Sequence, residues 1–181
     1  MNVFAQDATL VLAGLNQLLS STLTILAFAL LVYILVNNFR SAVSLGFAAL
    51  LACMCFAYVG DVALFRVDNL AAAIPWLKLQ WVGIAFLPAA YLHFADALLR
   101  TTNALSARRR FTVGLAYFFG LLVLLLAIRT DSLVRDPFYS PGVTQFRAGP
   151  FFWVFTIYFY TTLFWGAYKI YVARARCLTS G

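Results

Sequence analysis

Five long apolar runs follow one another along the chain, and connectors rich in polar and turn-forming residues separate them. The runs cover approximately residues 14–36, 42–65, 76–99, 111–128 and 151–172. Each is close to the length of about 20 residues that lets an α-helix cross about 30 Å of hydrocarbon. The pattern predicts an all-α integral membrane protein that consists of a bundle of about five transmembrane helices.

The composition supports a membrane location and a single domain. Hydrophobic residues make up 64% of the 181 residues, charged residues make up 10%, and the mean hydropathy is +0.91. Five spans leave few residues for a soluble part, so we expect one membrane domain over residues 1–181. The lipid bilayer is its first expected partner. The net charge of +7 is expected to set topology and does not predict nucleic-acid binding.

The charges between the runs predict an orientation, because cytoplasmic loops carry the excess of Lys and Arg. One side would hold eight basic residues against Asp96, namely Arg40, Arg100, Arg108, Arg109, Arg110, Lys169, Arg174 and Arg176. The other side would hold as many acidic as basic residues. We therefore expect the N-terminus outside and the C-terminus in the cytoplasm. The long connector over residues 129–150 would lie outside, as a short helix on the membrane or as a lid.

The third run ends in a polar stripe, within "GIAFLPAAYLHFADALLR". His93, Asp96 and Arg100 share one helix face by their spacing. One interpretation is an Asp96–Arg100 pair near the headgroups, with His93 hydrogen-bonded to a neighbouring helix; the other is a proton-sensing or ligand-binding switch. Pro88 is expected to kink the helix by freeing a carbonyl group. A lone histidine lacks a coordination set, so no metal or haem site is expected.

A second polar group lies at the opposite ends of the second and third runs. Asp61 and Gln80 each lie about one turn inside a run, where polar atoms need partners. They predict either an outward-facing ligand pocket or hydrogen bonds between helices. Trp81 and Trp153 are the further candidates for such a pocket, although Trp76 and Trp81 are also typical of interfacial anchors.

The fifth run is about half aromatic. Five of its aromatic residues fall near one face at helical spacing, namely Trp153, Tyr160, Phe164, Tyr168 and Tyr171. An aromatic face can hold an apolar ligand. Packing against other helices is the favoured interpretation, since aromatic side chains dominate ordinary core burial.

Several signatures of catalysis are missing from the sequence. The chain has no glycine-rich phosphate loop, no nucleophile elbow and no glutamate, since all six acidic residues are aspartates. The apolar runs also lack a central lysine for a Schiff base, because Lys78 and Lys169 lie near run ends. We expect neither an enzyme nor a bound cofactor.

Two segments resemble a known family. They are "PWLKLQWVGIAFLPAAYLHFADALL" and "GPFFWVFTIYFYTTLFWGAYKIY", separated by a basic loop, an apolar run and a long loop. Together they resemble the seven-helix N-terminal membrane module of bacterial histidine kinases and related signalling proteins, over about residues 16–180. Five spans are present here, and "VARARCLTSG" resembles the start of a loop that would lead to a sixth. The matching residues are Trp76, Gln80, Gly83, Pro88, Gly149, Pro150, Phe152, Trp153 and Tyr158.

The resemblance implies a sensory input module in a bacterial cytoplasmic membrane. Such a module would detect an extracellular or membrane-dissolved signal and pass it to a cytoplasmic signalling domain. Thermodynamics requires that the signal bind one packing state of the helices better than another. The alternative is a non-catalytic structural or assembly subunit of a larger membrane complex. Its partners would be other membrane proteins or a second copy of the chain.

Overall fold

Five long helices form almost the whole of the described structure. The computed structural model describes residues 2–101, 107–138 and 144–179, with side chains described over 11–101, 111–138 and 144–176. The all-helical bundle expected from the sequence is confirmed. The elements are α1 (Asn2–Asn37), α2 (Ala42–Leu64), α3 (Leu70–Arg100), α4 (Ala107–Arg129), β1 (Val134–Phe138), β2 (Gln145–Ala148) and α5 (Phe152–Thr179).

Four of these helices contain a segment that is long and apolar enough to cross a membrane by length and composition. Within the described residues these segments are Val11–Asn37, Ala42–Leu64, Leu70–Arg100 and Phe111–Arg129. Helix α5 has 28 residues, which is also sufficient length, but tyrosine, tryptophan and threonine replace much of its aliphatic content. That α5 crosses the membrane as a fifth span stays a prediction.

Helix α3 begins six residues before the predicted run. The Asn69 side chain accepts a hydrogen bond of 2.8 Å from the Ala72 backbone N–H, which caps the first turn. The polar residues and the proline of the connector "RVDNLAAAIP" predict a loop throughout. Pro75 nevertheless lies inside the helix, because the apolar segment from Leu70 to Ile74 already forms its first turns.

Helix α3 is the central element, because it packs against α2, α4 and α5, whereas α1 packs on α2. Sequential helices are antiparallel, and α3 and α5 run parallel. The approach of α3 to α2 is close: a Cβ atom at Gly83 would overlap the Cys53 carbonyl oxygen and lie 2.8 Å from the Ala57 nitrogen. Glycine is therefore required where these two helices cross.

The connector between α4 and α5 forms a β-hairpin, in which β1 and β2 pair antiparallel. Leu133 and Val134 are buried against Trp81 and Phe155, and Phe146 packs beside the α2–α3 turn. The hairpin thus covers one end of the bundle, called the hairpin end below; the opposite end is called the Arg100 end. The expected short helix is wrong for the described part of this connector, which forms strands. That the connector acts as a lid stays a prediction.

We expect Gly83→Ala to destabilise the protein by about 1–3 kcal/mol, because the added methyl group meets backbone atoms of α2 that cannot rotate away. Gly114→Ala is the matched control, since nothing lies within 4 Å of a Cβ atom at Gly114 on α4. Thermal unfolding in detergent, followed by circular dichroism, measures both variants. A Tm for Gly83→Ala equal to that of Gly114→Ala would contradict the close α2–α3 packing.

Candidate ligand-binding site

A cavity of about 450 Å³ lies beneath the hairpin, and it is called the hairpin cavity. Asp61 from α2 and Gln80 and Trp81 from α3 line it, together with residues of α1, β2 and α5. Its walls are mixed, because Asn16 and Gln17 add polar groups while the rest are largely apolar. Three of the four residues predicted for an outward-facing pocket therefore lie around one space.

A second cavity of about 550 Å³, called the lateral cavity, lies between α2 and α5 with α3 behind it. It shares Asp61, Gln80 and Ile84 with the hairpin cavity, so the two spaces meet at these residues. From there it extends toward Pro88 and Tyr91, and its walls are almost entirely apolar. Both volumes fall in the range of about 300–1,000 Å³ that is typical of small-molecule sites.

Asp61 stands where the two cavities meet and has few partners. The Ser20 hydroxyl of α1 donates a hydrogen bond to Asp61 Oδ2. Among the residues that the structure describes, no Lys, Arg or His forms an ion pair with this carboxylate. A carboxylate inside a bundle with a single hydroxyl partner keeps acceptor capacity for a ligand.

Gln80 packs directly on α2 at Gly60, where the lack of a side chain leaves space for it. A Cβ atom at Gly60 would overlap Gln80 Cγ and lie 3.0 Å from the Trp76 carbonyl oxygen. Over the described ranges, no protein group forms a hydrogen bond with the Gln80 amide. Its donor and acceptor atoms are therefore available at the cavity wall, where unpaired polar groups are costly.

Trp81 forms a wall of the hairpin cavity and is 7% exposed, with its ring 5.4 Å from the Phe155 ring in an edge-to-face arrangement. Trp153 is placed differently: it is 57% exposed on the outer side of α5 and is absent from the residues lining either cavity. The geometry brings Asp61, Gln80 and Trp81 together and leaves Trp153 apart.

The aromatic face predicted on α5 points away from the other helices, so the favoured interpretation of this face was wrong within this chain. All five of its residues, Trp153, Tyr160, Phe164, Tyr168 and Tyr171, are more than half exposed. The face that packs on α3 contains smaller and polar residues as well as Phe155, and at Gly166 the Tyr91 ring occupies the place of a side chain. Because α5 has aromatic residues on all sides, their spacing did not reveal which face was buried.

A buried ion cluster lies toward the Arg100 end. Asp96 is fully buried, and its Oδ1 accepts a hydrogen bond of 2.8 Å from Lys169 Nζ of α5. Its Oδ2 lies 2.9 Å from both Nε and Nη2 of Arg100. The expected Asp96–Arg100 pair is confirmed. The Lys169 partner was missed, since Lys169 was grouped with basic residues at a run end.

His93 and Pro88 have structural contacts. His93 Nδ1 lies 3.3 Å from the Tyr117 hydroxyl, which links α3 to α4 as the structural interpretation of His93 expected. Pro88 is buried inside α3, which runs as one helix from Leu70 to Arg100, and it lines the lateral cavity. A switching role for His93, Asp96 or Pro88 stays a prediction.

The side chains around the two cavities offer contacts for a ligand. Within the ranges with described side chains, no group of three or more His, Cys, Asp or Glu side chains is placed to hold a metal ion. The cavities instead combine one weakly partnered carboxylate, one amide and an indole ring with an apolar extension. Such a combination orients a ligand by its polar end and holds it by its apolar surface.

A comparison with protein families matches residues 18–177 to a family described as the N-terminal 7TM region of histidine kinase. The match covers most of the chain and includes both segments in which the family-like residues were found. Comparisons with curated proteins and with solved structures give no match.

We expect Lys169→Met to destabilise the protein by about 3 kcal/mol, because it leaves the buried Asp96 carboxylate with one cation instead of two. Lys78→Met is the matched control, since Lys78 is an exposed lysine of α3. Adding Asp96→Asn to Lys169→Met should restore part of the loss, because it removes the buried charge that Lys169 helps to balance in the parent protein. Equal unfolding temperatures for Lys169→Met and the parent protein would show that the pair does not stabilise the α3–α5 contact.

Proposed function

The chain belongs to the family of N-terminal 7TM regions of histidine kinases, and we propose that its two cavities are the signal-binding site of a membrane sensory input module. Regions of this family serve as input modules that work with a cytoplasmic signalling domain. The proposed signal is extracellular or dissolved in the membrane. It acts through Asp61, Gln80 and Trp81, and no chemical step is assigned to this region.

The proposed orientation places the hairpin end outside and the Arg100 end in the cytoplasm. It rests on the surplus of basic residues in the connectors and helix ends at the Arg100 end. In this orientation the ligand cavities face the exterior or the outer half of the bilayer. The Asp96–Lys169 pair then lies toward the cytoplasm, and α5 continues beyond it to Thr179. The membrane in question is a bacterial cytoplasmic membrane, as implied by the family resemblance.

The observation that carries the proposal is that α3 takes part in both sites. Gln80 of α3 lines the cavities, and Asp96 of the same helix binds Lys169 of α5. The two positions are 16 residues apart, or about 24 Å along a helix. A ligand that binds one packing of α3 better than another shifts the population toward that packing. Because the ion pair joins α3 to α5, such a shift is transmitted to α5.

A test of this coupling needs no known ligand. We expect Met54→Trp, which fills the lateral cavity, to change the distance between α3 and α5 at the Arg100 end. Spin labels at Thr101→Cys and Arg174→Cys, in a background with Cys53, Cys55 and Cys177 replaced by alanine, report that distance by dipolar electron paramagnetic resonance.

The matched control for the cavity-filling variant is Val59→Trp, which adds the same ring to an exposed position of α2. The proposal predicts that Val59→Trp leaves the distance distribution of the parent protein unaltered while Met54→Trp shifts it. If both variants keep the parent distribution, the cavities are not coupled to α5 and the sensory mechanism proposed here is wrong.

A second function, that of a structural or assembly subunit, is supported by the exposed aromatic face of α5. Five aromatic side chains more than half exposed along one helix provide a large surface for another membrane protein or a second copy of the chain. The two functions are compatible, because this face lies on the side of α5 away from α3.

We expect Phe164→Ala combined with Tyr171→Ala to weaken such assembly, because both side chains are 69% exposed on this face. Phe118→Ala on α4, whose side chain is 55% exposed, is the control for loss of any exposed ring. Native mass spectrometry after extraction in mild detergent measures the assembled mass. Assemblies of equal abundance in the double variant and the control would exclude this face as the assembly surface.

A further inference from the structure

The two intramembrane aspartates differ in how their charge is balanced. Asp96 is bound by two cations, Lys169 and Arg100, at 2.8 and 2.9 Å. Asp61 receives only the Ser20 hydroxyl, and no cation pairs with it among the described residues. Carboxylates withdrawn from water are costly unless a positive charge accompanies them. Lys169 and Arg100 supply positive charge to Asp96, and a cationic ligand would supply it to Asp61.

The groups around Asp61 suit a positively charged head. The Gln80 amide, which has no protein partner in the described structure, lies beside it and offers a carbonyl oxygen to an N–H donor. Trp81 lines the same cavity, and indole rings attract cations through their π-electron faces. Each of these three groups is favourable to a cation, whereas a carboxylate or phosphate would be repelled by Asp61.

The lateral cavity suits an apolar tail that begins at the same place. Beyond Asp61 and Gln80 its walls are formed chiefly by Leu50, Met54, Leu87, Pro88, Phe159 and Leu163. From Gln80 to Tyr91 the cavity follows α3 for 11 residues, or about 16 Å. An extended alkyl chain advances about 1.25 Å per bond, so a chain of a dozen carbon atoms with its terminal nitrogen has a similar length of about 15 Å.

The route of entry is lateral. Helices α2 and α5 both line this cavity but are not packed closely on each other. Leu163, at the rim on α5, is partly exposed. The gap between the two helices offers a molecule dissolved in the bilayer a route to the cavity that does not require α3 to unpack.

We infer that the joined cavities bind a single-chain amphiphile with an ammonium head, which pairs with Asp61 while the alkyl chain fills the lateral cavity. This inference rests on the proposed function and adds the chemical class of the signal. Two sources share this chemistry, a free long-chain amine and a membrane lipid with an amine headgroup. A phospholipid brings a phosphate near Asp61 and a second chain, so the geometry favours the free amine.

The test compares three probes with one tail, namely dodecylamine, dodecanol and dodecanoate. The protein is reconstituted in nanodiscs of a neutral galactolipid, which has no ammonium group. A ligand that binds only the folded state raises Tm, and the rise grows with the logarithm of the ratio of ligand concentration to Kd once that ratio is large. We expect dodecylamine to raise Tm and the other two probes to have little effect. In a separate arm, phosphatidylethanolamine replaces part of the galactolipid, and an Asp61-dependent rise in Tm there identifies the lipid as the source.

Two substitutions test the head and tail contacts separately. Asp61→Asn keeps an acceptor for Ser20 but removes the charge, and we expect dodecylamine to bind about tenfold more weakly or worse. Asp68→Asn, in the exposed α2–α3 connector, removes the same charge outside the cavities and should retain parent affinity. Met54→Trp should abolish binding of the amine by occupying the space for its tail.

Equal stabilisation of the parent protein by all three probes, or equal amine affinity in Asp61→Asn and Asp68→Asn, would overturn the inference about the head. The proposed function survives either result, because it requires only that the cavities be coupled to α5. That function fails on a different measurement, the unaltered α3–α5 distance in Met54→Trp. Failure of the ligand class and failure of the sensory role are therefore distinguished.

Discussion

The buried carboxylate of Asp96 is the constraint that fixes how α5 lies against α3. A charge without contact to water must be compensated, and Lys169 supplies one of its two cations from α5. Placing Lys169 toward α3 sets the rotation of α5 about its own axis. That rotation turns Phe155 and Phe159 toward the bundle and leaves the residues on the far side, such as Trp153 and Phe164, exposed. The places of Phe155 and Phe159 in the cavity walls thus depend on the Asp96–Lys169 ion pair toward the Arg100 end of the bundle.

Close backbone approach is the second determinant of the site. Gly83 allows α3 to lie directly on the backbone of α2, and Gly60 provides the space that Gln80 occupies. Side chains at these positions would force the helices apart, since protein interiors tolerate little overlap. The same crossing brings Asp61 of α2 beside Gln80 of α3. The polar part of the cavity walls is therefore formed by both helices together.

The contrast between Asp61 and Asp96 connects structure to function. One aspartate is neutralised internally and serves to hold helices together; the other faces two cavities with a hydroxyl as its protein partner. Both are linked by α3, which belongs to the cavity wall at one end and to the ion cluster at the other. In the proposed sensory role, this arrangement would provide a physical route from ligand binding to movement of α5.

The amino-acid sequence predicted the class of protein, the approximate position of each apolar helix and the Asp96–Arg100 pair, because bilayer thickness and helical spacing act locally along the chain. It also indicated Asp61 and Gln80, since polar residues inside apolar runs are unusual. Two features became visible only in the folded chain: Lys169, 73 residues from Asp96, completes the ion cluster, and Trp153 faces outward. Both depend on which face of α5 lies against α3, and the evenly aromatic sequence of α5 does not encode that face. The hairpin also depends on tertiary packing, because Leu133, Val134 and Phe146 pack against the end of the helix bundle.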